Sequence, residues 1–147
     1  ALGGERFDAH DFCEQAGQAG ASALLVEREL PLAIPQLVVA DSLKGLGRLG
    51  KLVRERINPK VLAITSSCGK TTVKEMCAAI LRAQASRDGF GEESVLATRG
   101  NLNNDIGMPL TLLELRDFHR AAVIEMGMNH PGEIGYLSAL AQPTVRW

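Results

Sequence analysis

The sequence predicts an α/β fold. An open, mostly parallel sheet of the phosphate-loop (P-loop) type carries helices on both faces, and part of a smaller α/β unit precedes it. Three observations carry this expectation. An apolar run, Val61-Leu62-Ala63-Ile64, stops at a small-residue loop, Ser66-Ser67-Cys68-Gly69, which delivers Lys70, Thr71 and Thr72 to a helical pattern. Beyond it, short strand-like and helical stretches alternate as β-α-β-β-α-β. Before it, Asn58-Pro59 closes a long helical stripe, and this sets a boundary between residues 1–59 and 60–147.

Taken in order, Asp8 to Gly20 reads as a short helix with Phe12, Ala16 and Ala19 on one face and Asp11 as its cap. His10 reads as a surface or capping residue, because no second metal ligand is spaced to help it. Ala23 to Val26 and Gln36 to Ala40 are short strands, punctuated by Pro31 and Pro35. Asp41 or Ser42 caps a longer helix, in which Leu43, Leu46, Leu49, Leu52, Val53 and Ile57 form the core stripe. Lys44, Arg48, Lys51, Arg54 and Arg56 read as its solvated face. After the loop, Val73, Met76, Cys77, Ile80 and Leu81 make a second stripe. Ser86 to Ser94 is a polar loop, Val95 to Ala97 a strand, and Ala121 to Met126 a buried strand. Gly132 to Ala141 is helical, with Glu133 placed to stabilise its N-terminus, and Pro143 to Val145 opens another strand. His119, in a connector, reads as surface.

The loop at 66–72 is the chemical centre. A strand, a tight turn and a helix N-terminus together form an anion site of outward-pointing N–H groups. Lys70 adds positive charge for terminal phosphates, and the Thr71 hydroxyl suits a magnesium ion. Only Gly69-Lys70-Thr71 of the G-x-x-x-x-G-K-[ST] pattern is intact: the glycine positions of its long and short forms hold Ile64 and Ser66. Should Ser66 need positive φ, the strain would be about 1–2 kcal/mol. An ordinary strand–turn–helix with a lysine at the turn is the competing account.

Composition narrows the partners. Hydrophobic residues make up 46% of the 147, enough for a buried core, and the net charge of −1 argues against a nucleic-acid surface. No apolar run is long enough to span a membrane. Cys13, Cys68 and Cys77 show no metal spacing and read as reduced thiols of a cytoplasmic protein. The start, Ala1-Leu2-Gly3-Gly4, looks cut.

Two further stretches carry chemistry. In Thr98 to Leu113, Asn101, Asn103, Asn104 and Asp105 sit between glycines after a strand. Their amides suit phosphate, sugar or peptide groups, and an Asx-turn feeding a helix near Pro109 explains them equally well. In Ile124 to Ile134, Glu125 ends a buried strand, where a lone carboxylate is costly. A metal ion bridging nucleotide phosphates would offset that cost, as would a salt bridge.

With these residues in view, the chain resembles the Mur ligase family, ATP-dependent amino-acid and peptide ligases of bacterial cell-wall synthesis. The resemblance rests on Gly4 to Phe12, Ile64 to Thr72, Gly100 to Leu113 and Glu125 to Ile134, in that order along the chain. The strings G-N-x-N-N-x-I-G-x-P and E-x-G-x-N-H-P-G-E-I point to the member that joins D-alanyl-D-alanine to a UDP-muramoyl-tripeptide.

The resemblance implies that residues 1–59 are the later part of a domain binding the UDP end of the substrate, and that 60–147 begin the ATPase domain. It implies ATP held by residues 66–72, with Lys70 on the phosphates and magnesium between Thr71 and Glu125. Lys70 and Glu125 would be the catalytic pair. Asn104 would lie by the substrate or the γ-phosphate; Asn101, Asn103 and His130 would face the UDP-muramoyl-peptide. In the family reaction ATP converts a carboxylate to an acyl phosphate, which the amine of D-alanyl-D-alanine attacks. The sequence departs from the family at Ser66, and it holds neither the start of the uridine domain nor the third domain. The expectation is therefore that this chain alone does not ligate. The alternatives are a non-catalytic nucleotide- or phosphate-binding piece and a module that self-associates through an unfinished sheet edge.

Overall fold

The computed structural model describes residues 1–3 and 8–147. Gly4 to Phe7, which open the first of the resembling strings, lie outside the described residues. The chain divides into two units, Ala1–Leu46 and Gly47–Trp147. The division falls inside one helix rather than at 59/60, although the helix ends where Asn58-Pro59 would stop it, with Asn58 at φ 50°.

In the first unit, a 3-10 turn (Ala9–Phe12) leads into α1 (Cys13–Gln18), a shorter helix than residues 8–20 suggested. The tighter turn changes part of what is covered: Ala16 of the expected face packs on the core, but Cys13 is buried there and Phe12 is exposed. Asp8, not Asp11, caps the turn by accepting from the His10 N–H. His10 is buried rather than at the surface, its Nε2 accepting from the Glu27 N–H at 2.9 Å and its Nδ1 against Asp8. Strands β1 (Leu24–Val26) and β2 (Gln36–Val38) pair in parallel, Leu24 opposite Gln36. Leu30, Leu32 and Ile34 cover a small core of Cys13, Leu24 and Val26. Asp41 caps α2 (Ser42–Ile57) through the Lys44 N–H at 2.9 Å. The Ser42 N–H and hydroxyl both donate to Glu27 Oε1 at 2.7 Å, and they hold the Glu27 carboxyl below its usual pKa.

The second unit begins in α2, where Val53 and Ile57 of the expected stripe pack on the core, but the most deeply packed positions are not its leucines. Leu52 is exposed, whereas Gly47, Gly50 and Arg54 are buried. The reason is close approach. A Cβ on Gly47 would stand 2.3 Å from the Tyr136 hydroxyl, and one on Gly50 3.0 Å from the Pro109 carbonyl oxygen. Arg54 leaves the solvated face predicted for it: Nε donates to the Ala141 carbonyl at 2.8 Å and a terminal nitrogen to that of Gln142 at 2.9 Å. These are carbonyls at the end of α5, which a helix leaves without internal partners.

Next come β3 (Lys60–Ile64), α3 (Lys70–Arg87), β4 (Val95–Ala97), α4 (Gly107–Leu113), β5 (Ala121–Glu125), α5 (Glu133–Ala141) and β6 (Val145–Arg146). The four strands form one parallel sheet in the order β4-β5-β3-β6. Alternation splits β3, β4 and β5 between two cores. Val61, Ala63, Ala122 and Ile124 pack with Met108, Leu112, Leu137 and Leu140. Leu62, Ile64 and Val123 pack with Val73, Cys77, Ala78 and Leu81 of α3. Helices therefore cover both faces, as predicted.

On α3 the stripe is displaced from the expected one. Met76 (61% exposed) and Ile80 (67%) lie off it, while Lys74, at 1%, lies on it. Ile80 borders an apolar groove of about 390 Å³ with Leu62, Leu81 and Val145. His119 is also buried rather than at the surface; its Nδ1 accepts from the Arg116 N–H at 2.8 Å, and burial pushes its pKa below the usual imidazole value. No helix among the described residues is long and apolar enough to cross a membrane.

Candidate functional site

The site is built at the ends of β3 and β5. These strands are neighbours in the sheet, and their register sets Ile64 opposite Glu125. The backbone leaving Ile64 therefore meets Glu125.

That backbone is the small-residue loop. Gly69 adopts φ 76°, a left-handed conformation that glycine takes without cost. Ser66 has no positive φ, so the strain considered for it is absent. Its hydroxyl instead donates to the Cys68 carbonyl at 2.6 Å. Lys70 turns back along the loop, its ammonium donating to the Ser66 carbonyl at 2.8 Å. Among the described residues no side chain caps α3, and its first internal bond is Val73 N–H to the Gly69 carbonyl. The leading N–H groups of the helix thus face the loop side, with the positive end of the dipole behind them. Ser67, Cys68, Gly69, Thr71 and Thr72 are all exposed there.

Glu125 is 2% exposed and lies against this helix start. The Thr71 hydroxyl donates to Oε2 at 3.1 Å, and the Asn103 amide donates to Oε1 at 2.8 Å. The Glu125 N–H in turn donates to the Thr98 hydroxyl at 3.0 Å. Among the described residues the carboxylate forms no ion pair, so the salt-bridge account of Glu125 is not the one realised. Hydrogen bonds from a hydroxyl and an amide satisfy it instead.

The asparagines separate. Asn103 reaches the Glu125 cluster. Asn104 builds an Asx-turn, its Oδ1 accepting from the N–H groups of Ile106 (3.3 Å) and Gly107 (2.8 Å) at the start of α4. Asn101 and His130 are exposed, and the side chain of neither is bonded to the cluster among the described residues. His130 pairs with Glu133, whose carboxylate also accepts from the Asn129 N–H at 2.6 Å. These backbone donors hold the Glu133 pKa below its usual value. A cleft of about 760 Å³ beside β4 includes Glu75, Arg82, Arg99 and Glu114 but none of residues 66–72.

Sequence reasoning missed Thr98 and Lys74. Lys74 donates to the Thr98 carbonyl at 2.7 Å and pairs with Glu75 at 2.8 Å. One signal for it was available: a lysine three residues after Thr71, directly beside the apolar stripe.

The Mur ligase middle domain model matches residues 64–146. UDP-N-acetylmuramoyl-tripeptide–D-alanyl-D-alanine ligase of Haemophilus influenzae is 54% identical over 97% of the chain and 31% of the relative. The Escherichia coli K12 ligase of the same name is 52% identical over 97% of the chain and 30% of the relative. The chain thus spans less than a third of these proteins. A crystal structure of MurF from Acinetobacter baumannii superposes with TM-score 0.89 at 50% identity, covering 99% of this chain and 31% of that one. The Thermotoga maritima MurF structure, in complex with ADP, gives 0.82 at 33% identity over 97% of this chain and 32% of that one. The family model, matching from the end of β3 through β6, shows that this chain belongs to the Mur ligase family.

Proposed function

We propose that this chain holds the nucleotide phosphates in a ligase that joins D-alanyl-D-alanine to a UDP-muramoyl-tripeptide. Residues 66–72 receive the ATP phosphates, with Lys70 neutralising their charge. The observation that carries this is the 3.1 Å contact between Thr71 and Glu125, at the mouth of an uncapped helix start. The donor set fits magnesium: a hydroxyl and a carboxylate are hard oxygen ligands, and this ion leaves its other positions to water and phosphate oxygens. Thr71 and Glu125 would hold the magnesium, which when bound would supply neutralisation of phosphate charge.

Lys70 and Glu125 are the proposed catalytic pair, acting by charge and alignment rather than as nucleophiles. The exposed Asn101 and His130 are the side chains proposed to contact the muramoyl-peptide. Asn104 contributes its NH₂ group, because its carbonyl oxygen serves the turn. Asn103 acts by holding Glu125. For the whole ligase, the proposed reaction transfers a phosphoryl group to the tripeptide's terminal carboxylate. The D-alanyl-D-alanine amine then attacks the acyl carbon, and phosphate leaves. Residues 1–59 would belong to the UDP-binding part and 60–147 to the ATP-binding part, in a cytoplasmic enzyme whose three cysteines are free.

Calorimetric titration with ATP and magnesium tests this reading. We expect binding that Lys70→Ala weakens at least about tenfold, or about 1.4 kcal/mol. An absence of heat at millimolar ATP would overturn it. The 147-residue chain alone is expected to give no ligation product. A second reading, self-association, draws on β6, a sheet edge whose Val145 is exposed beside the equally exposed Trp147. Sedimentation at rising concentration decides it: a monomer throughout removes that reading.

A further inference from the structure

Lys74 is a cation with 1% exposure inside the second unit. Burying an ammonium group is costly unless it is paired and hydrogen-bonded, so its contacts show what the cost secures. One is Glu75, its neighbour on α3, at 2.8 Å. The other is the carbonyl of Thr98, the first residue after β4, at 2.7 Å.

Thr98 is held from three sides. Its N–H donates to the Val123 carbonyl of β5 at 3.0 Å, its carbonyl accepts from Lys74, and its hydroxyl accepts from the Glu125 N–H. Glu125 closes the circuit through Oε2, which accepts from Thr71. Thr71 and Lys74 lie three residues apart on α3, one turn of the same face. Four residues thus make a closed ring, from Lys74 to Thr98, to Glu125, to Thr71, and back along the helix to Lys74. Asn103 holds the remaining carboxylate oxygen from outside the ring.

The ring has a direction. Glu125 is the last residue of its strand, and its backbone is paired opposite Ile64, but that pairing leaves the side-chain torsions undetermined. Those torsions alone would let the carboxylate face toward or away from the helix start. The Thr98 hydroxyl fixes the backbone of Glu125, Asn103 fixes Oε1, and Oε2 is left facing Thr71. Lys74 fixes Thr98 without touching Glu125. We propose that Lys74 and Thr98 are positioning residues, which aim the Glu125 carboxylate at the Thr71 hydroxyl and so tune magnesium-dependent nucleotide binding. This rests on the phosphate-site reading above and adds two residues to it.

The test is the ratio of ATP affinity in magnesium to that in EDTA, measured by calorimetry on the whole chain. Thr98→Val removes the hydroxyl at constant volume, whereas Thr98→Ser keeps it. Lys74→Met removes the ammonium but keeps an unbranched chain. We expect Thr98→Val and Lys74→Met to lower that ratio about tenfold and Thr98→Ser to retain it. A ratio unchanged in Thr98→Val overturns the proposal. So does an affinity lost equally in magnesium and in EDTA, the result a purely structural role would give. Should Lys74→Met fail to fold, the two Thr98 variants decide alone. Failure of the unmodified chain to bind ATP would instead remove the phosphate-site reading, and this inference with it.

Discussion

Replacing Glu125 by Gln separates the site from the fold. The carboxylate is buried and accepts two hydrogen bonds, from Asn103 at 2.8 Å and Thr71 at 3.1 Å. A carboxamide can keep both: its oxygen accepts from Asn103, and its NH₂ donates to the Thr71 oxygen. Bonds to a charged group are worth about 1.5–3 kcal/mol and neutral ones about 0.5–1.5, so the change forfeits about 2 kcal/mol over the pair. Against this, a buried charge costs several kcal/mol of lost hydration that an amide avoids. The two terms oppose each other at similar size, so stability should move by no more than about 1 kcal/mol. The magnesium side has no such offset. A unit charge about 4 Å from another contributes about 4 kcal/mol at an effective dielectric near 20, and a divalent ion raises this. Water can replace only part of it. ATP affinity in magnesium should therefore fall at least about tenfold, roughly 1.4 kcal/mol, while affinity in EDTA stays the same. Urea denaturation and calorimetry on one preparation read both quantities. Magnesium-ATP affinity retained in Glu125→Gln would refute the reasoning, and so would a loss of stability above about 3 kcal/mol, which would make Glu125 a fold residue first.

The same geometry sets three other outcomes. Ser66→Gly should not tighten ATP binding, because Ser66 has no positive φ to relieve and its hydroxyl bond to Cys68 would be lost; a tenfold gain by calorimetry would contradict this. Arg54→Met should destabilise the second unit by about 2 kcal/mol, since the buried Ala141 carbonyl and the part-buried Gln142 carbonyl at the end of α5 lose a charged donor; a urea midpoint unchanged from the parent would contradict it. The Glu27 carboxyl has a lowered folded pKa through its bonds from Ser42. Its stabilisation is therefore present above the unfolded value of about 4.3 and is lost as pH falls through the lower folded value. The gap in thermal midpoint between the parent and Glu27→Gln should accordingly narrow below about pH 4.3, and a constant gap would exclude this.

The sheet was legible because its strands are short apolar runs whose alternate residues serve two cores, as Val61 and Ala63 do against Leu62 and Ile64. The helix faces were less so. Hydropathy ranks glycine as neutral, yet Gly47 and Gly50 form the packed face of α2 because Tyr136 and Pro109 come close. The leucines read as its stripe include the exposed Leu52. The same bias placed Met76 and Ile80 in the core of α3 and overlooked Lys74, whose charge hides a buried position with two partners. In the first unit, a single turn of 3-10 geometry exchanged Phe12 for Cys13.

Within the site, the legible part is the part that sheet order dictates. A loop after one strand must meet the end of the neighbouring strand, and so the pairing of β3 with β5 brings Thr71 to Glu125. The asparagines obey no such rule. Asn101, Asn103 and Asn104 are chemically alike, and their spacing does not say which amide turns inward. The route of the 98–107 loop decides it. One amide is taken by Glu125, one carbonyl oxygen by the start of α4, and one side chain is left in solvent. Composition could nominate all three for the substrate, but only the loop's path shows that Asn103 is already committed to the carboxylate. A side chain bonded to Glu125 can serve the peptide only by leaving it, whereas Asn101 and His130, proposed above to contact the peptide, have no bond to Glu125 to break among the described residues.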